Sequence, residues 1–121
     1  MAGETVLVID DDSGLRAFAA EALEEAGYSA IAVADVASGL AVVSALVVDL
    51  VLLDHGTGPI LDAEFVESAR RRSPAGLRVL LWTGWHDARE RAREAGADGI
   101  VPKPTDLDAL LERVHQELAA R

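Results

Sequence analysis

Three short stretches of the chain carry residues that could do chemistry. The first is Asp10-Asp11-Asp12, which ends the apolar run Thr5-Val6-Leu7-Val8-Ile9. The second is Asp54, which ends the run from Val47 to Leu53. The third is Lys103, held between Pro102 and Pro104 and the only lysine among the 11 lysine and arginine residues. Clustered carboxylates repel one another, and without a cation at least one of them would keep its proton above the ordinary range. A hard cation such as Mg²⁺ relieves this, because it takes oxygen ligands and keeps several waters. Asp54 can then stay ionised and act as an oxygen nucleophile, and carboxylates are able to accept phosphoryl groups. The ion, the Lys103 ammonium and the Thr83 hydroxyl would together neutralise the charge of a transferring phosphoryl group.

For these residues to meet, regular elements must bring them to one rim. Residues 5–9 form a short, continuous, β-branched apolar run that suits a strand covered on both faces. Ser13 offers an N-cap to a helix with Leu15, Phe18, Ala19, Ala22, Leu23 and Ala26 at helical spacing, and Gly27 stops it. Residues 29–33 read as a second strand, 36–46 as a helix rich in Ala and Val, and 47–53 as a third strand, apolar except for Asp49. A helix over 62–72 ends in three arginines, which suits its dipole. Strand four spans 77–82, and a helix over 87–95 has only alanines to bury. Strand five spans 98–101. An amphipathic helix over 106–120, with Leu107, Leu110, Leu111, Val114 and Leu118 on one face, closes the chain.

Five alternating β–α units predict a parallel sheet with helices on both faces. Two arrangements fit, the flavodoxin-like order 2-1-3-4-5 and a dinucleotide-binding half. The second needs a glycine-rich turn after strand one. An acidic turn stands there and would repel a pyrophosphate. We therefore expect the (βα)5 three-layer sandwich, with ligands at the carboxyl ends of the strands. That rim carries Asp10, Asp11, Asp54, Thr83-Gly84 and Lys103.

Composition narrows the function further. The 121 residues suit one domain. A net charge of −10 argues against unspecific binding to nucleic acid or anionic membrane. Without cysteine there is no disulfide, thiol catalysis or thiolate zinc site. No signal peptide and no apolar run of about 18 residues is present, so a cytoplasmic protein is expected.

At this point the chain resembles a response-regulator receiver domain. Asp10-Asp11 after an apolar strand, Asp54 ending the third, Thr83-Gly84 ending the fourth and Lys103-Pro104 after the fifth carry the resemblance, which covers essentially the whole chain. It implies that Asp54 takes a phosphoryl group from a histidine kinase or phosphotransfer protein. It implies that Asp10 and Asp11 hold Mg²⁺, directly or through water, and that Thr83 and Lys103 contact the phosphoryl oxygens. A cis Lys103–Pro104 bond is implied as well. The helix over 87–95, strand 98–101 and helix 106–120 would form the face read by a downstream protein. We expect one receiver domain over 1–121 with no output domain after Arg121, either a stand-alone regulator or a piece of a hybrid protein.

The chain departs from the family pattern in two places. The loop His55-Gly56-Thr57-Gly58-Pro59 has its proline five residues after Asp54 rather than four, and Ala63 stands where a glycine is usual. Read as a one-residue insertion, this makes the Gly56 carbonyl the expected backbone ligand of the metal. The switch position on strand five, usually aromatic, is Ile100; Trp85 is the substitute ring and a shield for the phosphoryl group. Two other readings compete. One is a pseudo-receiver, a protein-binding module independent of phosphorylation. The other is a phosphohydrolase with an Asp nucleophile, disfavoured because Gly56 stands where its second Asp belongs. His55 and His86 are expected near the rim and His115 at the far end of the layer, so the three histidines do not suggest a metal triad.

Overall fold

The computed structural model describes residues 3–54, 61–73, 76–84, 88–103 and 106–121. Strand and helix alternate as β1 (Thr5–Ile9), α1 (Ser13–Glu25), β2 (Ser29–Val33), α2 (Val36–Ala45) and β3 (Leu50–Leu53). The second half continues with α3 (Asp62–Arg72), β4 (Arg78–Thr83), α4 (Ala88–Ala95), β5 (Gly99–Pro102) and α5 (Leu107–Ala119). All strand pairs are parallel and the order is β2-β1-β3-β4-β5. This is the flavodoxin-like sandwich expected from the alternation.

The two-residue period of a strand divides the apolar runs between two cores. Leu7, Ile9, Val51, Leu53, Val79 and Leu81 face α2, α3 and α4, where they meet Val36, Phe65 and Ala92. Val6, Val8, Leu50, Leu52, Leu80 and Trp82 face α1 and α5, where they meet Ala19, Leu23, Leu110 and Val114. Burial of each large side chain contributes about 1.5–3 kcal/mol, so these central strands dominate the stability. In α2 the absent side chain of Gly39 lets the helix sit close: a Cβ there would lie 2.5 Å from Ile9 Cδ1 and 3.3 Å from Phe65 Cε1. As expected, α4 buries only alanines, Ala88, Ala92 and Ala95.

Several local expectations are corrected. Asp12, not Ser13, caps α1: its Oδ1 accepts the N–H groups of Gly14 at 2.9 Å and Leu15 at 3.1 Å. Phe18 is 39 % exposed and Ala26 is the exposed C-cap, so the buried stripe of α1 narrows to Ala19, Ala22 and Leu23. Leu107 on α5 is likewise exposed. The third strand begins at Leu50 rather than Val47, which is 64 % exposed. Asp49 explains the delay. Its carboxylate accepts the Thr5 N–H at 2.8 Å and the Arg121 guanidinium at 2.8 Å, pinning the chain just before the ladder starts.

Candidate phosphoryl-acceptor site

The backbone ladder carries past the strand ends and places the site residues. Asp10 N–H donates to Val33 O at 3.1 Å, Asp54 N–H to Ile9 O at 2.9 Å and Lys103 N–H to Thr83 O at 2.9 Å. Each residue is therefore held in sheet register although it lies just beyond its strand. Ile9 and Leu53 are direct partners, so Asp10 and Asp54 follow on neighbouring strands.

The side chains converge. Lys103 Nζ donates to Asp10 Oδ2 at 2.8 Å and to Asp54 Oδ1 at 2.9 Å. Asp10 is fully buried, and its second oxygen accepts the Asp12 N–H at 2.9 Å. Arg16 Nη1 donates to the Asp10 carbonyl at 2.8 Å, tying the first turn of α1 to the rim. Oxygen atoms of Asp10, Asp11 and Asp54 lie within 4.8 Å of one another. Asp10 is buried, Asp54 half-buried and Asp11 exposed, so the cluster opens to water on one side. Thr83, also buried, ends β4 beside Pro102 of β5.

Charge in this cluster is not balanced. Desolvation pushes the Asp54 carboxyl above its ordinary range, Lys103 pulls it back, and Asp10 and Asp11 push it up again; the net direction is upward. Burial pulls the Lys103 ammonium down, but its bonds and charge contacts with Asp10 and Asp54 outweigh that and raise it. The lysine is therefore a fixed cation shared by Asp10 and Asp54, with the Asp11 carboxylate beside them. An all-oxygen donor set with surplus negative charge and an open, watered side fits a hard divalent cation such as Mg²⁺.

The structure brings together Asp10, Asp11, Asp54 and Lys103, and it sets Thr83 at the end of the neighbouring strand. Ile100 is half-buried, packs against the core on the α4 side and lines a groove of about 670 Å³ between α4, β5 and α5. Gly56, Trp85, His55, His86 and Pro104 lie outside the described residues, and with them the altered loop and the Lys103–Pro104 bond. His115 is exposed on α5. Two functional-looking residues escaped the sequence reading. Trp82 lies under Lys103, with its ring centroid 4.8 Å from Nζ. Glu117, on the amphipathic last helix, is 4 % exposed and bound by two arginines.

Comparison with known proteins bears on the family and the fold. The family model for the response regulator receiver domain matches residues 6–115. Sporulation initiation phosphotransferase F of Bacillus subtilis is 28% identical over 120 residues, covering 98% of this chain and 96% of that protein. The phosphate regulon transcriptional regulatory protein PhoB of Pseudomonas aeruginosa is 31% identical over 117 residues. That match covers 94% of this chain but 51% of PhoB, so the chain spans about half the length of that relative. Among solved structures, a CheY-like receiver domain protein from Methanospirillum hungatei superposes with a TM-score of 0.86 at 27% identity, covering 98% of this chain and 95% of that one.

Proposed function

The chain belongs to the response regulator receiver domain family, and on that premise we propose that Asp54 is its phosphoryl acceptor. The domain is a phosphoacceptor of two-component signalling, and the observation that carries the residue assignment is the shared ammonium. Lys103 Nζ bridges Asp10 and Asp54 at the carboxyl end of the sheet. A carboxylate oxygen of Asp54 forms the O–P bond while the P–N bond of a donor phosphohistidine breaks. The electron pair of that bond stays on the imidazole. Lys103 turns one N–H from Asp54 to an incoming phosphoryl oxygen, and Thr83 offers its hydroxyl from the next strand. Asp10, Asp11 and Asp54 would hold Mg²⁺, which supplies charge neutralisation for the transferring group. The Gly56 carbonyl is the further ligand we assign from the loop sequence.

The donor is a histidine kinase or phosphotransfer protein, in the cytoplasm. No helix of the described residues is long and apolar enough to cross a membrane. The downstream contact lies at the groove between α4, β5 and α5. Arg89, Arg93, Asp98, Ile100 and Arg113 are among its lining residues. Arg93 and Arg113 are paired with Glu90 and Glu117, so the groove carries both signs of charge. Ile100 occupies the position of the usual aromatic switch, and Trp85 is the substitute ring. The rival reading, a binding module independent of phosphorylation, is not favoured, because Asp10, Asp11, Asp54, Thr83 and Lys103 form a complete set.

Intact-protein mass after incubation with Mg²⁺ and acetyl phosphate tests the assignment. The wild type should gain one phosphoryl group and Asp54→Asn none. A wild type that gains nothing, or an Asp54→Asn protein that gains as much, overturns it.

A further inference from the structure

We propose that Trp82 is a positioning residue for Lys103, its indole face holding the ammonium aimed at the phosphoryl position on Asp54. This rests on the receiver reading and adds to it a residue that does not touch the transferring group.

Trp82 is fully buried on the α1/α5 face of β4, among Val8, Ala19, Val101 and Leu110. Its Nε1–H has no hydrogen-bond partner among the described residues. A buried donor without a partner is costly, and a Leu or Phe in the same slot would fill the core without that cost. What the indole adds is a broad π face. Lys103 Nζ sits 4.8 Å from its centroid, within the range of a cation–π contact, and Trp is the strongest of the ring partners.

Chemistry explains why such a contact is useful here. An ammonium has three N–H groups. Two of them reach Asp10 and Asp54. A third anchor that accepted a hydrogen bond would compete with the phosphoryl oxygen for direction. The ring attracts the cation through its quadrupole and leaves the N–H groups free to turn. Lys103 can pass a hydrogen bond from the Asp54 carboxylate to the phosphoryl oxygen without leaving its seat. Strand geometry maintains the stack: Trp82 pairs with Val101, and Lys103 N–H closes on Thr83 O.

The chain's only lysine makes the test direct, because lysine labelled with ¹³C gives one set of side-chain resonances. Those ε-CH₂ proton resonances should lie upfield in the wild type through the indole ring current. They should be less displaced in Trp82→Phe and ordinary in Trp82→Leu. Phosphoryl uptake from acetyl phosphate with Mg²⁺ should fall in the same order, by about threefold for Phe and about tenfold for Leu. Leu118→Ala, which loosens the same core at the far end of α5, serves as the structural control and should change neither readout. Trp82→Phe keeps an apolar ring in the slot and removes the unpaired donor, so it tests the inference even where Trp82→Leu does not fold. An undisplaced wild-type resonance overturns the stack. Equal uptake by the wild type and Trp82→Phe, or loss of uptake in Leu118→Ala to the level of Trp82→Leu, overturns the positioning role. A wild type that takes no phosphoryl group while its lysine resonance is displaced fails at the receiver reading instead, and the role of the ring in transfer falls with it.

Discussion

Two clusters of charge sit at opposite edges of the same sheet, and they are built differently. At the carboxyl edge, Asp10, Asp11 and Asp54 cluster, the Lys103 ammonium bridges Asp10 and Asp54, and Arg16 reaches only the Asp10 backbone carbonyl. At the amino edge, Asp98 and Glu117 face three guanidiniums, those of Arg70, Arg78 and Arg113. Glu117 accepts from Arg78 Nε at 2.6 Å on one oxygen and from Arg113 Nη1 at 2.8 Å on the other. Asp98 Oδ2 accepts the Val79 N–H at 2.7 Å and Arg70 Nη2 at 3.0 Å. The bond to Glu117 raises Arg78 further above its ordinary range against a smaller opposing effect of burial. Asp54 shows the opposite condition, a carboxyl whose ionised form stays disfavoured in spite of its lysine. Charge settled within the fold acts as a fastener, here joining α5 to β4 and β5. Charge left in surplus suits a divalent cation.

The sharpest way to break this contrast is to remove one partner from each edge. Lys103→Met should fold and should lower phosphoryl uptake from acetyl phosphate by about 10²–10³, the usual loss when one donor to a developing anionic centre is deleted. Glu117→Ala should leave uptake within about twofold. Its effect falls on stability instead, because it strands two guanidiniums against α5. Those arginines are partly exposed and water takes up some of their charge. The expected loss is therefore about 2–3 kcal/mol, below the full cost of breaking a buried pair. A lower urea midpoint at unchanged slope would record it. If Glu117→Ala cut uptake as deeply as Lys103→Met, the amino edge would be part of the site.

The carboxyl edge was legible in the sequence and the amino edge was not, and the reason is physical. Asp10, Asp54 and Lys103 each follow a short apolar run, and parallel strands must deliver such residues to one rim. Glu117 looks like one more solvated helix charge. The signal was its place between Val114 and Leu118 on the apolar face, with Arg78 heading strand four as the counter-charge. Pairing the two requires knowing that α5 runs back over β4. Trp82 was visible as a strand residue, but strand parity names only a face. Which side chain lies on its ring depends on where the chain turns after Pro102. Asp12 and Ser13 are both good caps, and the choice is made by where the chain leaves β1. Asp49 was noticed as the one charge in an apolar run, but not as the clasp that shortens the strand.

The smallest effect asks whether the surplus is real. Asp54 holds its proton to higher pH in the folded chain than in the unfolded one. Below the ordinary carboxylate range both states are protonated, and the group costs nothing. As pH rises through the ordinary value the unfolded chain ionises first, so stability falls until the folded carboxyl has ionised too, and the loss then stays constant. Without metal at pH 7, Asp54→Asn should therefore be more stable than the wild type and melt at a higher temperature. The gap should close on acidification below the ordinary carboxylate range. Added Mg²⁺ should close it as well, since an ion that binds the folded wild type stabilises it by mass action and gains less from the variant. Thermal unfolding of both proteins across pH, with and without Mg²⁺, measures all three changes. An Asp54→Asn protein less stable than the wild type in metal-free buffer at neutral pH would mean that Lys103 already satisfies the acidic cluster. The two edges would then be the same kind of structure, and the carboxyl edge would need no cation to hold it together.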